Sequence, residues 1–194
     1  METRSEKRGP PTIAIAIIGG GLSGAVLAAQ LLQRSDPSFS VAVVEKTSSV
    51  GRGLAYGTEC RSLLLNVRAR NMSALADQAD HFLRWARSNY DPATGPGTFL
   101  PRAVYGHYVQ SVLNEATQSV GKPRLEWIRD EALALSPTSD GLTEIHLGGG
   151  RRLLGIFLPG ILWQPGMRRP VPVIFAIPGR PKPLKALRVS AAFC

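Results

Sequence analysis

The chain has 194 residues, the size of one ordinary domain or of part of a larger protein. Hydrophobic residues make up 44% and charged residues 19%, which excludes wholesale disorder. The formal net charge of +9 is unevenly spread: residues 1–150 carry +1, whereas residues 151–194 carry +8, with no acid and seven of the 15 prolines. The body of the chain is therefore nearly neutral, as expected of a small-molecule binding domain.

The two cysteines, Cys60 and Cys194, have no metal or redox spacing, which excludes a disulfide framework and favours a reducing compartment. Three scattered histidines predict no metal site. The apolar runs 13–18 and 153–163 are too short for a signal peptide or a membrane span. Aromatic residues do not alternate with the basic residues near the C-terminus. We therefore expect a cytoplasmic, soluble protein that binds neither membrane nor nucleic acid.

The first fifty residues have the pattern of a βαβ unit. Residues 13–18 are continuously apolar and half β-branched, as in a central parallel strand covered on both faces. Residues 22–34 follow as a mostly apolar helix that Asp36-Pro37 ends, and residues 39–45 are a second strand. Such a unit predicts two parallel strands joined by a right-handed crossover.

A long glycine-punctuated segment, 47–72, follows, and connections of this length are usually functional. Asp77 then predicts the start of a helix over residues 79–88. The clearest helix covers residues 102–120, where one apolar stripe recurs at helical spacing.

Further along, residues 124–135 and 143–147 predict two strands of a hairpin, turned at Ser139-Asp140-Gly141. Beyond residue 150, closely spaced prolines predict neither a long helix nor a central strand.

The turn after the first strand carries the chemistry. Gly19-Gly20-Gly21-Leu22-Ser23-Gly24 fits the pattern G-x-G-x-x-G, between a buried strand and a helix. Gly19 permits a tight turn, Gly21 lets backbone approach a pyrophosphate, and Gly24 lets the helix lie close to the sheet. The helix N-terminus offers free N–H groups to phosphates. This context predicts a dinucleotide-binding site rather than a structural glycine turn.

Glu45 ends the second strand, 21 residues after the last glycine of the motif. A carboxylate at this place can accept hydrogen bonds from both ribose hydroxyls and would repel a 2′-phosphate, which argues against NADP in this site. Shortly afterwards, Arg52 and Gly53 are candidates for contact with the pyrophosphate. From spacing alone, a flexible loop with a solvated arginine explains these two residues equally well.

A series of short motifs, in this order and spacing, resembles the bacterial FAD/NAD(P)-binding oxidoreductase-like proteins, which are relatives of the two-dinucleotide flavoproteins. The motifs are Ile-Ile-Gly-Gly-Gly-Leu-Ser-Gly (17–24), Val-Val-Glu-Lys (43–46), Val-Gly-Arg-Gly-Leu-Ala-Tyr (50–56), Leu-Leu-Asn-Val (64–67), Asn-Met-Ser-Ala (71–74), His-Phe-Leu-Arg-Trp (81–85) and Phe-Leu-Pro-Arg-Ala-Val-Tyr-Gly-His-Tyr (99–108). The resemblance covers roughly residues 12–147.

The resemblance implies an α/β fold: a Rossmann-like FAD-binding domain with inserted helices and a β-hairpin, incomplete on its C-terminal side. It implies FAD as cofactor, with NAD(P)H as the co-substrate in full-length relatives. The residues implied to bind FAD are Gly19, Gly20, Gly21, Ser23, Gly24 and Glu45, with Arg52 and Gly53 as weaker candidates. It implies no catalytic residue and no substrate.

The chain departs from the family in two ways. Arg68 stands where relatives usually have proline, and relatives are more than twice as long. We therefore divide the chain into a flexible N-terminus (1–11), a partial FAD-binding domain (12–147) and a basic, proline-rich tail (148–194).

The composition of residues 148–194 is typical of coding sequence read in a shifted frame, and this is our hypothesis for the tail. The alternative is a genuine basic, proline-rich tail, which is solvated or contacts an acidic partner, RNA or a membrane surface, and of these we favour a solvated tail. The chain is accordingly interpreted as the FAD-binding portion of an oxidoreductase. Two alternatives stay open: the chain is a truncated or frameshifted fragment, or it is a non-catalytic dinucleotide-binding module completed by a partner.

Overall fold

The computed structural model describes residues 13–33, 39–118, 125–139, 143–158 and 173–176. The predicted flexible N-terminus, residues 1–11, lies outside the described residues. The helices and strands, in chain order, are β1 (Ile13–Ile18), α1 (Leu22–Leu32), β2 (Phe39–Val44), α2 (Gly53–Tyr56), α3 (His81–Asn89), α4 (Arg102–Gln118), β3 (Leu125–Ile128), β4 (Ala132–Pro137), β5 (Thr143–Leu147), β6 (Arg152–Leu158) and β7 (Val173–Ala176).

These strands form a sheet in the order β3-β2-β1-β7-β6-β5-β4. β1 pairs with β2 and β2 pairs with β3 in parallel, with Ile15 opposite Val41 and Val43 opposite Trp127. The other neighbouring pairs are antiparallel. The predicted α/β fold with a parallel βαβ start is therefore confirmed, and an antiparallel meander of β4, β5 and β6 accompanies it.

Each face of the parallel strands packs against a different layer. Side chains alternate between the faces of a strand, so Ile17 and Val43 point to one side and Ala16 and Val44 to the other. Ile17 and Val43 belong to the large core formed with helices α1 and α4. Ala16 and Val44 instead pack with Ile145 of the meander. The ends of β1 and β2 are thus held between a helical layer and a strand layer.

Two predicted boundaries are wrong. The helix predicted to start at residue 79 begins at His81, and its N-cap is Asp80, whose side chain makes no capping hydrogen bond. The strand predicted over residues 124–135 is divided into β3 and β4. Asp130 causes the division, because its carboxylate accepts hydrogen bonds from Glu131 N (2.7 Å) and Gly149 N (3.1 Å) and thereby fixes a turn.

The expectation that residues beyond 150 contribute no central strand is also wrong, because β7 lies between β1 and β6. The reason is local. β7 falls between Pro172 and Pro178, and β6 contains no proline, so every residue of both strands has an N–H group for the ladder.

An aromatic cluster joins α3 to α4. The ring of Phe82 lies 4.9 Å from that of Tyr108 and 5.0 Å from that of Tyr105. The Tyr108 hydroxyl accepts a hydrogen bond from Ala74 N (3.1 Å) and shares one with Nδ1 of His81 (2.9 Å). The cluster therefore fixes the connection before α3 onto the long helix. None of the helices in the described part of the chain is long and apolar enough to cross a membrane.

Removal of the central ring of this cluster should destabilise the fold strongly. Phe82 is fully buried, and its replacement by alanine leaves a cavity, so we expect Phe82→Ala to lower the free energy of unfolding by about 3–5 kcal/mol. Phe99→Ala is the matched control, because Phe99 is 43% exposed and its loss leaves no cavity. Urea unfolding measures both, and equal effects would contradict the assignment of Phe82 to the core.

Alkaline pH should lower the free energy of unfolding through the buried tyrosines. Burial raises the pKa of Tyr105, so the unfolded chain releases this proton above pH of about 10 while the folded chain retains it. The contribution of the protonated Tyr105 to the free energy of unfolding is therefore fully present below that pH and declines above it. We expect Tyr105→Phe to reduce this decline in a series of urea titrations, and an unchanged pH dependence would disprove the contribution of Tyr105.

Candidate functional site

The turn between β1 and α1 is built on backbone contacts. Gly19 has φ of 95°, in the left-handed region that favours glycine, and its N–H group donates to Val44 O at 2.8 Å. A Cβ atom on Gly24 would lie 1.9 Å from Gly19 O. Only glycine at position 24 therefore lets the first turn of α1 lie directly against the end of β1.

The N-terminus of α1 offers donors for an anion. Gly21 is the N-cap residue, no side chain of the described structure caps the helix, and its first turn contains no acid. The first N–H groups of a helix have no partner within the helix, and the helix dipole places partial positive charge there. Ser23 lies in this turn and is half-buried. These features fit a phosphate group, and the contact itself stays a prediction for Gly20, Gly21, Ser23 and Gly24.

Glu45 lies beside the turn at the end of β2 and is fixed by two backbone donors. Gly20 N donates to its Oε2 at 2.7 Å, and Thr47 N donates to its Oε1 at 2.8 Å. A Cβ on Gly20 would approach Glu45 Cβ to 2.9 Å, so the side chain passes where position 20 has none. A carboxylate has about four acceptor positions, which leaves two for further hydroxyl donors.

An open pocket of about 180 Å³ lies at the ends of β1 and β2, beside the turn between β3 and β4. Three carboxylates line it, and its single lysine is already paired, because Lys46 Nζ lies 3.0 Å from Glu131 Oε1. The lining residues are Ile18, Gly19, Val44, Glu45, Lys46, Asp130, Glu131 and Ala132. The pocket is thus negative overall and suits hydroxyl or amino donors better than a second phosphate.

The second glycine segment packs directly on the first. Gly51 has φ of 101° and donates its N–H to Gly20 O at 2.6 Å. Gly53 has φ of 54°, and a Cβ at this position would lie 3.0 Å from Gly21 Cα. The structure therefore brings Gly53, predicted from the sequence, to the same backbone surface as Gly21.

Arg52 is directed to another partner. Its Nη2 lies 2.6 Å from Glu59 Oε1, and its Nε donates to Tyr56 O at 3.4 Å. The hydrogen bond and charge of Arg52 hold the pKa of Glu59 below its usual range. The guanidinium charge is thus balanced within the chain, and contact between Arg52 and a pyrophosphate stays a prediction.

Three residues of this region were not predicted from the sequence. Gln110 of α4 donates from Nε2 to Val50 O at 3.1 Å, and Asp130 and Glu131 line the pocket. They lie 60 to 86 residues from the segments that they meet, and no local pattern marks them. Within the described ranges, no group of three or more His, Cys, Asp or Glu side chains could hold a metal ion.

The fold and the site define an α/β dinucleotide-binding domain. A family model described as FAD-NAD(P)-binding matches residues 16–155, and the chain belongs to this family. FAD and NAD(P) are the cofactors of the domain. The match extends beyond residue 147, where the resemblance was expected to end, because β6 continues the meander past the glycines at 148–150. No curated protein matches the chain.

Solved flavoprotein structures share the fold. Cyclohexanone monooxygenase is 14% identical with a TM-score of 0.54, covering 79% of this chain and 28% of that one. S-allyl-L-cysteine S-oxygenase from Allium sativum is 18% identical with a TM-score of 0.50, covering 74% and 34%. Flavin-containing monooxygenase from Stenotrophomonas maltophilia is 20% identical with a TM-score of 0.47, covering 74% and 37%. The chain thus spans about a third of their length.

The close contact between turn and helix gives a direct test of the site geometry. We expect Gly24→Ala to lower the free energy of unfolding by about 1–3 kcal/mol. The reason is that the added Cβ would collide with backbone rather than with a flexible side chain. Gly97→Ala is the control, since a Cβ there meets nothing within 4 Å. Urea unfolding that shows equal stability of the two variants would contradict this geometry.

Proposed function

We propose that the chain is the FAD-binding portion of an FAD/NAD(P)-dependent oxidoreductase. The observation that carries this proposal is the position of Glu45, whose carboxylate is held beside the glycine turn by Gly20 N (2.7 Å) and Thr47 N (2.8 Å). A phosphate-binding helix N-terminus next to a fixed carboxylate matches a nucleoside diphosphate, which carries phosphates and ribose hydroxyls side by side.

Each part of the site has a separate role in binding. The backbone at Gly21 and the first turn of α1 bind the pyrophosphate through N–H donors, whereas the N–H group of Gly20 is used by Glu45. Glu45 accepts hydrogen bonds from the ribose hydroxyls with the acceptor positions that its two backbone donors leave free. Glu45, Asp130 and Glu131 together repel a 2′-phosphate, so this site takes FAD rather than NADP.

FAD, when bound, supplies hydride and electron transfer, with NAD(P)H as the reductant. This chain contributes binding and orientation of the adenosine diphosphate half. None of its described side chains is assigned a catalytic role, and the substrate is not defined by the site.

The share of the flavoprotein structures that the chain covers favours a second candidate. The chain spans 34% and 28% of the two structures whose fold it shares, which leaves most of such a protein for separate NAD(P)H and substrate regions. A dinucleotide-binding module without catalysis, completed by a partner chain, fits the same site. A truncated fragment of a longer enzyme also fits it. Flavin absorbance that survives dialysis of the purified chain supports binding, whereas a colourless, aggregating product contradicts both the enzyme and the module.

We also propose that the basic tail is a shifted-frame translation beyond residue 155, where the family match ends. The support is the absence of acids after Glu144 and the concentration of arginine and proline. Translation of the coding DNA through codons 145–194 in all three frames tests it. Another frame that continues with family-like sequence supports the proposal, and the absence of any such frame makes the basic tail a genuine part of the protein.

Glu45→Gln should weaken FAD binding by about tenfold or more, because a hydrogen bond to a charged group contributes about 1.5–3 kcal/mol and 1.4 kcal/mol corresponds to tenfold. The same variant should lessen the preference for ADP over 2′-phospho-ADP, since one repelling charge is gone. Isothermal titration calorimetry measures the affinities of both proteins for FAD, ADP and 2′-phospho-ADP.

Glu115→Gln is the matched control, with the same change of charge at an exposed position of α4 that does not line the pocket. Equal affinities of Glu45→Gln and wild type would mean that Glu45 does not contact the ribose.

A further inference from the structure

Helix α4 holds the second glycine segment at two places. Gln110 Nε2 donates to Val50 O at 3.1 Å, and a Cβ on Gly51 would lie 2.9 Å from Gln110 Cγ. One turn earlier, a Cβ on Gly106 would lie 2.7 Å from Tyr56 O. The segment from residue 50 to residue 56 therefore lies flat against the helix, with a side-chain donor at one end.

The held segment in turn contacts the turn after β1. Gly51 N donates to Gly20 O at 2.6 Å, and Gly53 lies against Gly21 Cα. In the proposed function, Gly21 and the first turn of α1 carry the N–H groups that bind the pyrophosphate, and Gly20 directly precedes them. A continuous series of contacts thus leads from the amide of Gln110 to the backbone of this turn.

We propose that Gln110 is a positioning residue of the dinucleotide site, which fixes residues 50–53 on the glycine turn and so sets the fit of the pyrophosphate. The proposal rests on the proposed function and extends it to a residue outside the glycine motif. Gln110 is half-buried on its helix, and its hydrogen bond to Val50 spans 60 residues of the chain. A side chain of the same size without a donor would keep the packing and lose the hydrogen bond.

Gln110 should affect the binding of the pyrophosphate half of the ligand more than that of the ribose half. Glu45 makes no hydrogen bond with Gln110 among those of the described residues. One of its donors, Gly20 N, belongs to the series of contacts that starts at Gln110, whereas the other, Thr47 N, lies outside it. The ribose half of the site therefore keeps one donor on Glu45 when Gln110 changes, and we expect it to be affected less than the pyrophosphate half. A merely structural role of Gln110 would affect both halves together.

The test compares Gln110→Met with wild type in the full chain. ADP affinity is measured by isothermal titration calorimetry, and adenosine affinity by its displacement of ADP. We expect ADP to bind about five- to tenfold more weakly, the factor that corresponds to one hydrogen bond, with adenosine within about twofold of wild type. Gln118→Met, at the exposed end of the same helix, is the control and should change neither affinity.

Unchanged ADP affinity of Gln110→Met overturns the inference while leaving the proposed function in place. Equal weakening of ADP and adenosine also overturns it, because the residue would then act on the whole fold. If adenosine does not displace ADP from the wild-type protein, the ribose half of the site does not bind a ligand on its own, and the inference is overturned. A wild-type protein that binds neither compound refutes the proposed function, and the inference with it.

Discussion

Contact between backbone and backbone, which only glycine permits, is the constraint on which the rest of this structure depends. The first turn of α1 meets the end of β1 at Gly24, where a Cβ would come within 1.9 Å of a carbonyl oxygen. The same kind of contact recurs between Gly21 and Gly53. Because no side chains separate these segments, their N–H groups and the helix dipole lie at one surface, next to the carboxylate at the end of β2.

The part of the site within the βαβ unit could be predicted from the sequence because its signals are local. Strand, glycine turn, helix and acid follow one another within 33 residues, and each has a recognisable composition. In the structure, Gly20 N donates to Glu45 and Gly19 N donates to Val44 O, so the glycine turn lies beside the acid. The parallel pairing of β1 and β2 likewise follows from two apolar runs and a crossover of helical length.

The features that could not be predicted depend on contacts between distant segments or on details of single turns and short runs. Gln110 and Asp130 reach the site through the packing of α4 and of the meander, which no short pattern encodes. The division between β3 and β4 depends on the hydrogen bonds of one aspartate with its own turn and with Gly149. The position of β7 depends on a five-residue gap between Pro172 and Pro178, and a proline count averaged over the segment conceals such a gap.

The hydrogen bond between Gln110 and Val50 has a consequence for the order of folding. The βαβ unit is complete once residue 44 has been synthesised, whereas the glycine segment at 50–53 gains its support only when α4 has formed. Contacts between distant residues require loop closure, which slows their formation relative to local ones. During synthesis, β1, α1 and β2 can therefore assemble first, and the binding surface is completed only after α4 and Asp130 have been synthesised, when more than half of the chain has left the ribosome.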